Sequence, residues 1–259
     1  DKSIRKFVPS EFLGLIACKS ITDVKLGKSN ECDLTVLSID FKFAQASTSI
    51  ANTLTMTNIN SSEEAYSSSN NAQTMRALNQ IFKLLGPIIR MHGGYIDKYN
   101  AIPGGIDAVF VNTRRAMNAA LELEKAVKIF NTQGTHKEDD DLTSPSKGMQ
   151  LQITSLIMGI HMCKTSLIGT IGEMQRMEGV IVSPTAIVAK GIKSLCKKLK
   201  IKILVSKDAL AIAKKAQTML FNSNSAALNY RYMGSHSVAT ENETHSLKLY
   251  ELVSDSDSQ

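Results

Sequence analysis

From Asp33 onward the hydrophobic pattern of this chain switches repeatedly between two periods, and that switching constrains the fold more than any other feature. Residues 33–41, DLTVLSIDF, form a β-branched apolar run bounded by polar segments, which predicts a buried strand ending at Asp40 or Phe41. Met75, Leu78, Leu84, Leu85, Ile88 and Ile89 then recur at helical spacing, and His92-Gly93-Gly94 stops that helix. YIDKY and IDAVFV predict two short strands around the turn residues Pro103-Gly104-Gly105. Ala116, Ala119, Ala120, Leu123 and Val127 mark a second amphipathic helix from Arg115 to Phe130. Strands are expected at 151–162, 180–182, 201–206 and 247–253, with helices from Thr185 to Leu199 and from the Ser206 cap to Gln217. This order predicts an α/β (α+β) fold. Its core is a ferredoxin-like βαββαβ unit with a mostly antiparallel central sheet flanked by helices, followed by a C-terminal αβαβ extension.

Polar segments divide the chain. Residues 1–30 read as a lead-in with a short helix after Pro9, residues 31–253 as one domain, and 254–259 as an acidic tail. Within the domain, 45–73 is rich in Ser, Asn and Thr, and 132–148 is polar; both read as surface insertions. The first residue is Asp1, which suggests a piece of a longer chain. No run approaches the ~20 apolar residues of a membrane helix. The four cysteines, Cys18, Cys32, Cys163 and Cys196, are far apart and form no C-x-x-C pair, which argues against a zinc ribbon or disulfide framework and predicts a reducing, cytoplasmic setting. His92, His136, His161, His236 and His245 lack metal-ligand spacing, and no G-x-x-x-x-G-K-[ST] run exists.

Four pieces, in order, resemble the class III adenylyl/guanylyl cyclase catalytic domain. They are FVPSEFLGL with DVKLG (7–15 and 23–27), TVLSIDFKF (35–43), GGYIDKY (93–99) and GTIGEMQRMEGVIVS (169–183), the last resembling the family's tongue. The resemblance implies a head-to-tail dimer in which a ribose 3′-hydroxyl attacks the α-phosphate of its own nucleotide and pyrophosphate leaves. Two divalent metals held by two aspartates, an arginine and an asparagine on the helix after the tongue, and a purine-reading lysine complete the family's site.

Carried over residue by residue, the resemblance is incomplete. Asp40 falls at the first metal aspartate, although an Asp at a strand end commonly serves as a turn or cap residue. Lys98 falls at the purine-reading lysine. Aligned from Phe110, Gly104 replaces the second metal aspartate, and Asp107, three positions along the strand, is expected on the opposite face. Pro184, Ile187 and Gly191 replace the purine-reading aspartate, the ribose-orienting asparagine and the arginine. These losses predict a non-catalytic cyclase-like domain, structural or regulatory, with no cofactor. It would act through a protein partner: a cyclase-like domain or a larger assembly, docked on the family's dimer face or on a basic patch. The alternatives are a nucleotide sensor without turnover and a divergent cyclase acting on ATP or GTP with Mg2+.

The formal charge of +6 supplies that patch. Between Lys190 and Lys215 lie nine lysines and one acid, Asp208, so this stretch carries +8 and the remainder about −2. Lys193, Lys197, Lys198, Lys200 and Lys202 are its centre. A solvated helix face is one reading and docking on an acidic protein surface the other; few aromatics interleave, which disfavours nucleic acid.

Overall fold

The computed structural model describes residues 10–46, 68–101, 104–133, 150–173, 177–219, 227–240 and 243–254. Most of the two insertions predicted at 45–73 and 132–148, and all but the first residue of the tail 254–259, lie outside the described residues.

The elements follow the expected order with two additions, a 3-10 turn at Ile21–Asp23 and a strand at Asn229–Ala239. Helix α1 (Ser10–Leu15) precedes β1 (Ser29–Ala46), α2 (Ser68–Met91), the hairpin β2 (Tyr95–Asn100) and β3 (Gly105–Phe110), and α3 (Thr113–Thr132). Then come β4 (Gln150–Gly172), β5 (Met177–Val182), α4 (Thr185–Leu199), β6 (Ile203–Ser206), α5 (Lys207–Met219), β7 (Asn229–Ala239) and β8 (Thr244–Val253). Helix α2 ends where the sequence predicts: Gly93 adopts φ +73°, and the Gly93 and Gly94 N–H groups donate to the carbonyls of Arg90 and Ile89. Asn112 caps α3 by accepting from the Arg115 N–H.

The strands form one sheet in the order β2-β3-β1-β4-β6-β8-β7, with β5 folding back on the far end of β4. Every pairing is antiparallel except β4 with β6, which α4 bridges. The result is the expected mixed α+β architecture with a helix-flanked central sheet. Along β1 the side chains alternate. Leu37, Ile39 and Phe41 face α2, α3 and α5 in the largest apolar cluster. Val36, Ser38 and Asp40 occupy the alternate positions and face α4, which packs through Val188, Ile192 and Cys196 on Ile157, Leu204 and Leu249. Helix α1 tucks under the tongue formed by β4 and β5: a Cβ at Gly179 would sit 2.5 Å from the Phe12 ring, so this close approach needs a glycine.

Candidate active site on the α4 face of the sheet

The register of β1 against β3 places Ser38 opposite Asp107 and Asp40 opposite Gly105. Directly opposed side chains lie on the same side of an antiparallel pair, so Asp107 and Asp40 share the α4 face. Asp107 is buried, 3% exposed, and fully engaged. The Ser38 hydroxyl donates to its Oδ1 at 2.7 Å, and Asn100 Nδ2 donates to Oδ2 at 3.2 Å. Lys190 Nζ lies 3.0 Å from the same Oδ2. Burial pushes the Asp107 carboxyl up, but these donors and the Lys190 charge outweigh it and hold the group below the ordinary carboxylate range. Neighbouring Asp97 moves the other way: burial leads, and the Asp107 and Glu178 charges add to it against Lys98 and Lys190, leaving it raised.

Asp40 is held by two further lysines. Lys193 Nζ donates to Oδ1 at 2.6 Å, and Lys197 Nζ stands 3.6 Å from Oδ2. Residues 190, 193 and 197 fall on one helical face, which aims all three ammonium groups at the sheet. The helix reaches this close because of Gly159 on β4: a Cβ there would lie 2.4 Å from the Ala189 carbonyl oxygen and 2.5 Å from the Lys193 nitrogen.

These placements revise the sequence reading at several positions. A Cβ at Gly104 would sit 2.4 Å from the Phe41 ring, so position 104 points toward the apolar face, whereas a Cβ at Gly105 would lie 3.1 Å from Asp40 Oδ1. The odd step from 104 to 107 therefore turns Asp107 toward Asp40 rather than away from it. Asp40 lies inside β1, which runs on to Ala46 instead of ending at Asp40 or Phe41 as the sequence predicts, because the strand continues to pair with β4. Lys98 pairs across from Asp107 on β2 with its side chain exposed. Pro184 begins α4 without a side-chain capping bond, and Ile187 is 42% exposed. Gly191 is a packing glycine: a Cβ would lie 2.3 Å from Val238 Cγ1 on β7, so this position faces protein. Ser38, Asn100, Asp107, Gly159 and Lys190 were missed as a site. The readable signals were the parity of β1 against β3 and the lysine spacing on α4.

The basic patch also divides. Lys193 is buried at 7% exposure and turned inward on Asp40, which removes it from the surface, while Lys197, Lys198, Lys200 and Lys202 are exposed. Lys197, Lys200 and Lys202 border a cavity of about 490 Å³ together with Lys42 and Lys128. The buried Glu124 anchors Lys202 at 2.7 Å and Lys128 at 3.1 Å in its wall.

A pair of divalent cations does not fit this arrangement. Magnesium asks for about six oxygen ligands in octahedral geometry. Among the described residues no group of three or more His, Cys, Asp or Glu side chains could hold a metal. Each oxygen of Asp40 and Asp107 already faces a donor.

No family model matches the chain. An adenylate cyclase of Anabaena cylindrica is 27% identical over 214 residues, covering 80% of this chain and 36% of that protein. A terminal-differentiation specific adenylate cyclase of Dictyostelium discoideum is 26% identical over 206 residues, covering 80% of this chain and 8% of that protein. The solved structure of a bacterial light-regulated adenylyl cyclase superposes with a TM-score of 0.60 at 14% identity, over 97% of this chain and 60% of that one. The chain is similar to class III nucleotide cyclases over four fifths of its length, and it shares their catalytic-domain fold. It spans about a third of the first curated relative and under a tenth of the second.

Placing the domain among cyclases overturns the expectation that it is no enzyme. The relatives matched across four fifths of its length are adenylate cyclases by name. The structural premise of that expectation also changes, because the domain carries two carboxylates on the α4 face, not one. Among its described residues, no helix is long and apolar enough to cross a membrane.

Proposed function

We propose that this domain is a divergent nucleotide cyclase that closes ATP or GTP to the cyclic monophosphate with release of pyrophosphate. The observation that carries the reading is the pairing of Asp40 and Asp107 on one face of adjacent strands, at the place where the family resemblance locates its reaction centre. Asp107 is held ionised, which suits it to orient the attacking 3′-hydroxyl as a hydrogen-bond acceptor, while its lowered proton affinity disfavours a role as general base. Lys98, exposed at the rim across from Asp107, is the side chain for the purine edge.

Helix α4 supplies neither an asparagine nor an arginine at positions 187 and 191, and Val238 fills the space beside Gly191. A second cyclase chain then provides those groups, and this chain provides the carboxylate half of a composite site.

The test is product formation from ATP and from GTP, with magnesium or manganese, by this domain alone and mixed with an intact cyclase catalytic domain. The expected result is cyclic nucleotide in at least one arrangement, reduced at least about 100-fold by Asp40→Asn and by Asp107→Asn in this chain. For the mixture, the intact domain carries its own carboxylates mutated, so that only the composite site can turn over. No product in either arrangement, or product indifferent to both substitutions, overturns the reading.

A further inference from the structure

We infer that α4 is a cation lock on the acid pair: Lys190, Lys193 and Lys197 occupy Asp40 and Asp107 with ammonium groups, and these charges keep a divalent cation out. The site is the one the proposed function uses, but the inference concerns what fills it.

Three observations carry it. First, the contacts are complete. Asp40 Oδ1 takes Lys193 at 2.6 Å, and its Oδ2 faces Lys197 at 3.6 Å. Asp107 Oδ1 takes Ser38 at 2.7 Å, and its Oδ2 takes Lys190 at 3.0 Å and Asn100 at 3.2 Å. No carboxylate oxygen is left to enter a metal's coordination sphere without giving up a donor. Second, the charges leave little attraction for a further cation. Three ammonium groups stand within 3.6 Å of the two carboxylates, so their charge is already offset and a divalent ion gains little from them. Third, the fit is built into the packing. Lys193 is 7% exposed, and a lysine at that depth persists only against an opposite charge. Gly159 lets the backbone carrying Lys193 lie directly on β4.

All three cations share one helical face, so α4 presents them to the acid pair together. Its position beside the tongue is fixed by chain connectivity: only Ser183 and Pro184 separate the end of β5 from the start of α4.

The test uses the purified domain with Mn2+ alone, followed by electron paramagnetic resonance of the free ion. The wild-type domain should bind Mn2+ no more tightly than the low-millimolar range, whereas Lys190→Met/Lys193→Met should bind at least about tenfold more tightly. Lys198→Met, on the exposed side of α4, should match wild type. Should the double variant fail to fold, Lys190→Met alone removes a half-exposed cation and should still show a measurable gain. Asp40→Asn added to either variant should abolish the gain, which assigns it to this site. Equal Mn2+ affinity in wild type and lysine variants overturns the lock, as does the absence of any gain in both lysine variants. Because the readout is binding, the lock can fail while cyclic nucleotide is still made, and it can hold while none is.

Discussion

Lys193 is a charge that folding has taken out of water, and Asp40 is the reason it can stay there. Breaking a buried pair by removing one partner leaves the other uncompensated, at a cost of about 3–5 kcal/mol. Lys193→Met should therefore destabilise the domain by that order in urea unfolding, and Lys193→Met/Asp40→Asn should recover part of it; a loss below about 1 kcal/mol would count against the pair. Lys198 offers the contrast, since it is exposed on the same helix, and Lys198→Ala should stay within about 0.5 kcal/mol of wild type. His161 shows burial acting on a base. Burial leads in pushing it down to about 4, with Asp208 opposing and His245 assisting, while its Nδ1 lies 3.0 Å from the Ser206 hydroxyl. The folded state prefers the neutral ring, so its contribution is complete above the ordinary value near 6.5 and declines as pH falls toward 4. Between pH 7.5 and 4.5 the wild type should lose about 2–3 kcal/mol more stability than His161→Gln, measured by urea unfolding at each pH. Equal losses in the two proteins would assign the acid sensitivity elsewhere.

At the scale of elements, helices announced themselves better than strand ends. Helix α4 runs over the predicted Thr185–Leu199 because Val188, Ile192, Leu195 and Leu199 repeat on one side and Lys200, at φ +55°, ends it in a left-handed turn. Strand β7 was not anticipated: NYRYMGSHSVA has no apolar run, since an edge strand with most side chains exposed needs none. Strand β4 continues ten residues past the expected Met162, into the tongue, where polar residues interrupt the apolar pattern. The candidate site was half legible. Asp40 was singled out by the family resemblance of TVLSIDFKF. The face of Asp107 could not be placed, because counting from Gly104 presumed that position 104 looks toward the site, and a tight hairpin turns it to Phe41 instead. Gly191 gives this scale its test. Its missing Cβ leaves room for Val238, so Gly191→Ala, though favourable for an isolated helix, should cost about 1–3 kcal/mol through overpacking. A raised melting temperature in Gly191→Ala would show that α4 and β7 have slack.

For the whole molecule, the sheet separates two jobs. One face buries the large apolar cluster under α2, α3 and α5; the other holds the carboxylates, the lysines and α4. This division follows from the alternation along β1 and was readable in DLTVLSIDF, whereas the destination of the excess lysines was not, because sequence charge carries no information about which ammonium groups turn inward. The parallel pairing of β4 with β6 adds a topological consequence. Parallel neighbours need a crossover, and here the crossover is α4, the same helix that carries Lys190, Lys193 and Lys197. The chain cannot close the seam between β4 and β6 without bringing those cations to Asp40 and Asp107. Completion of the sheet and neutralisation of its acidic face are therefore a single folding event, and a truncation ending before Thr185 would strand two carboxylates on a half-built sheet with no internal counter-charge from α4.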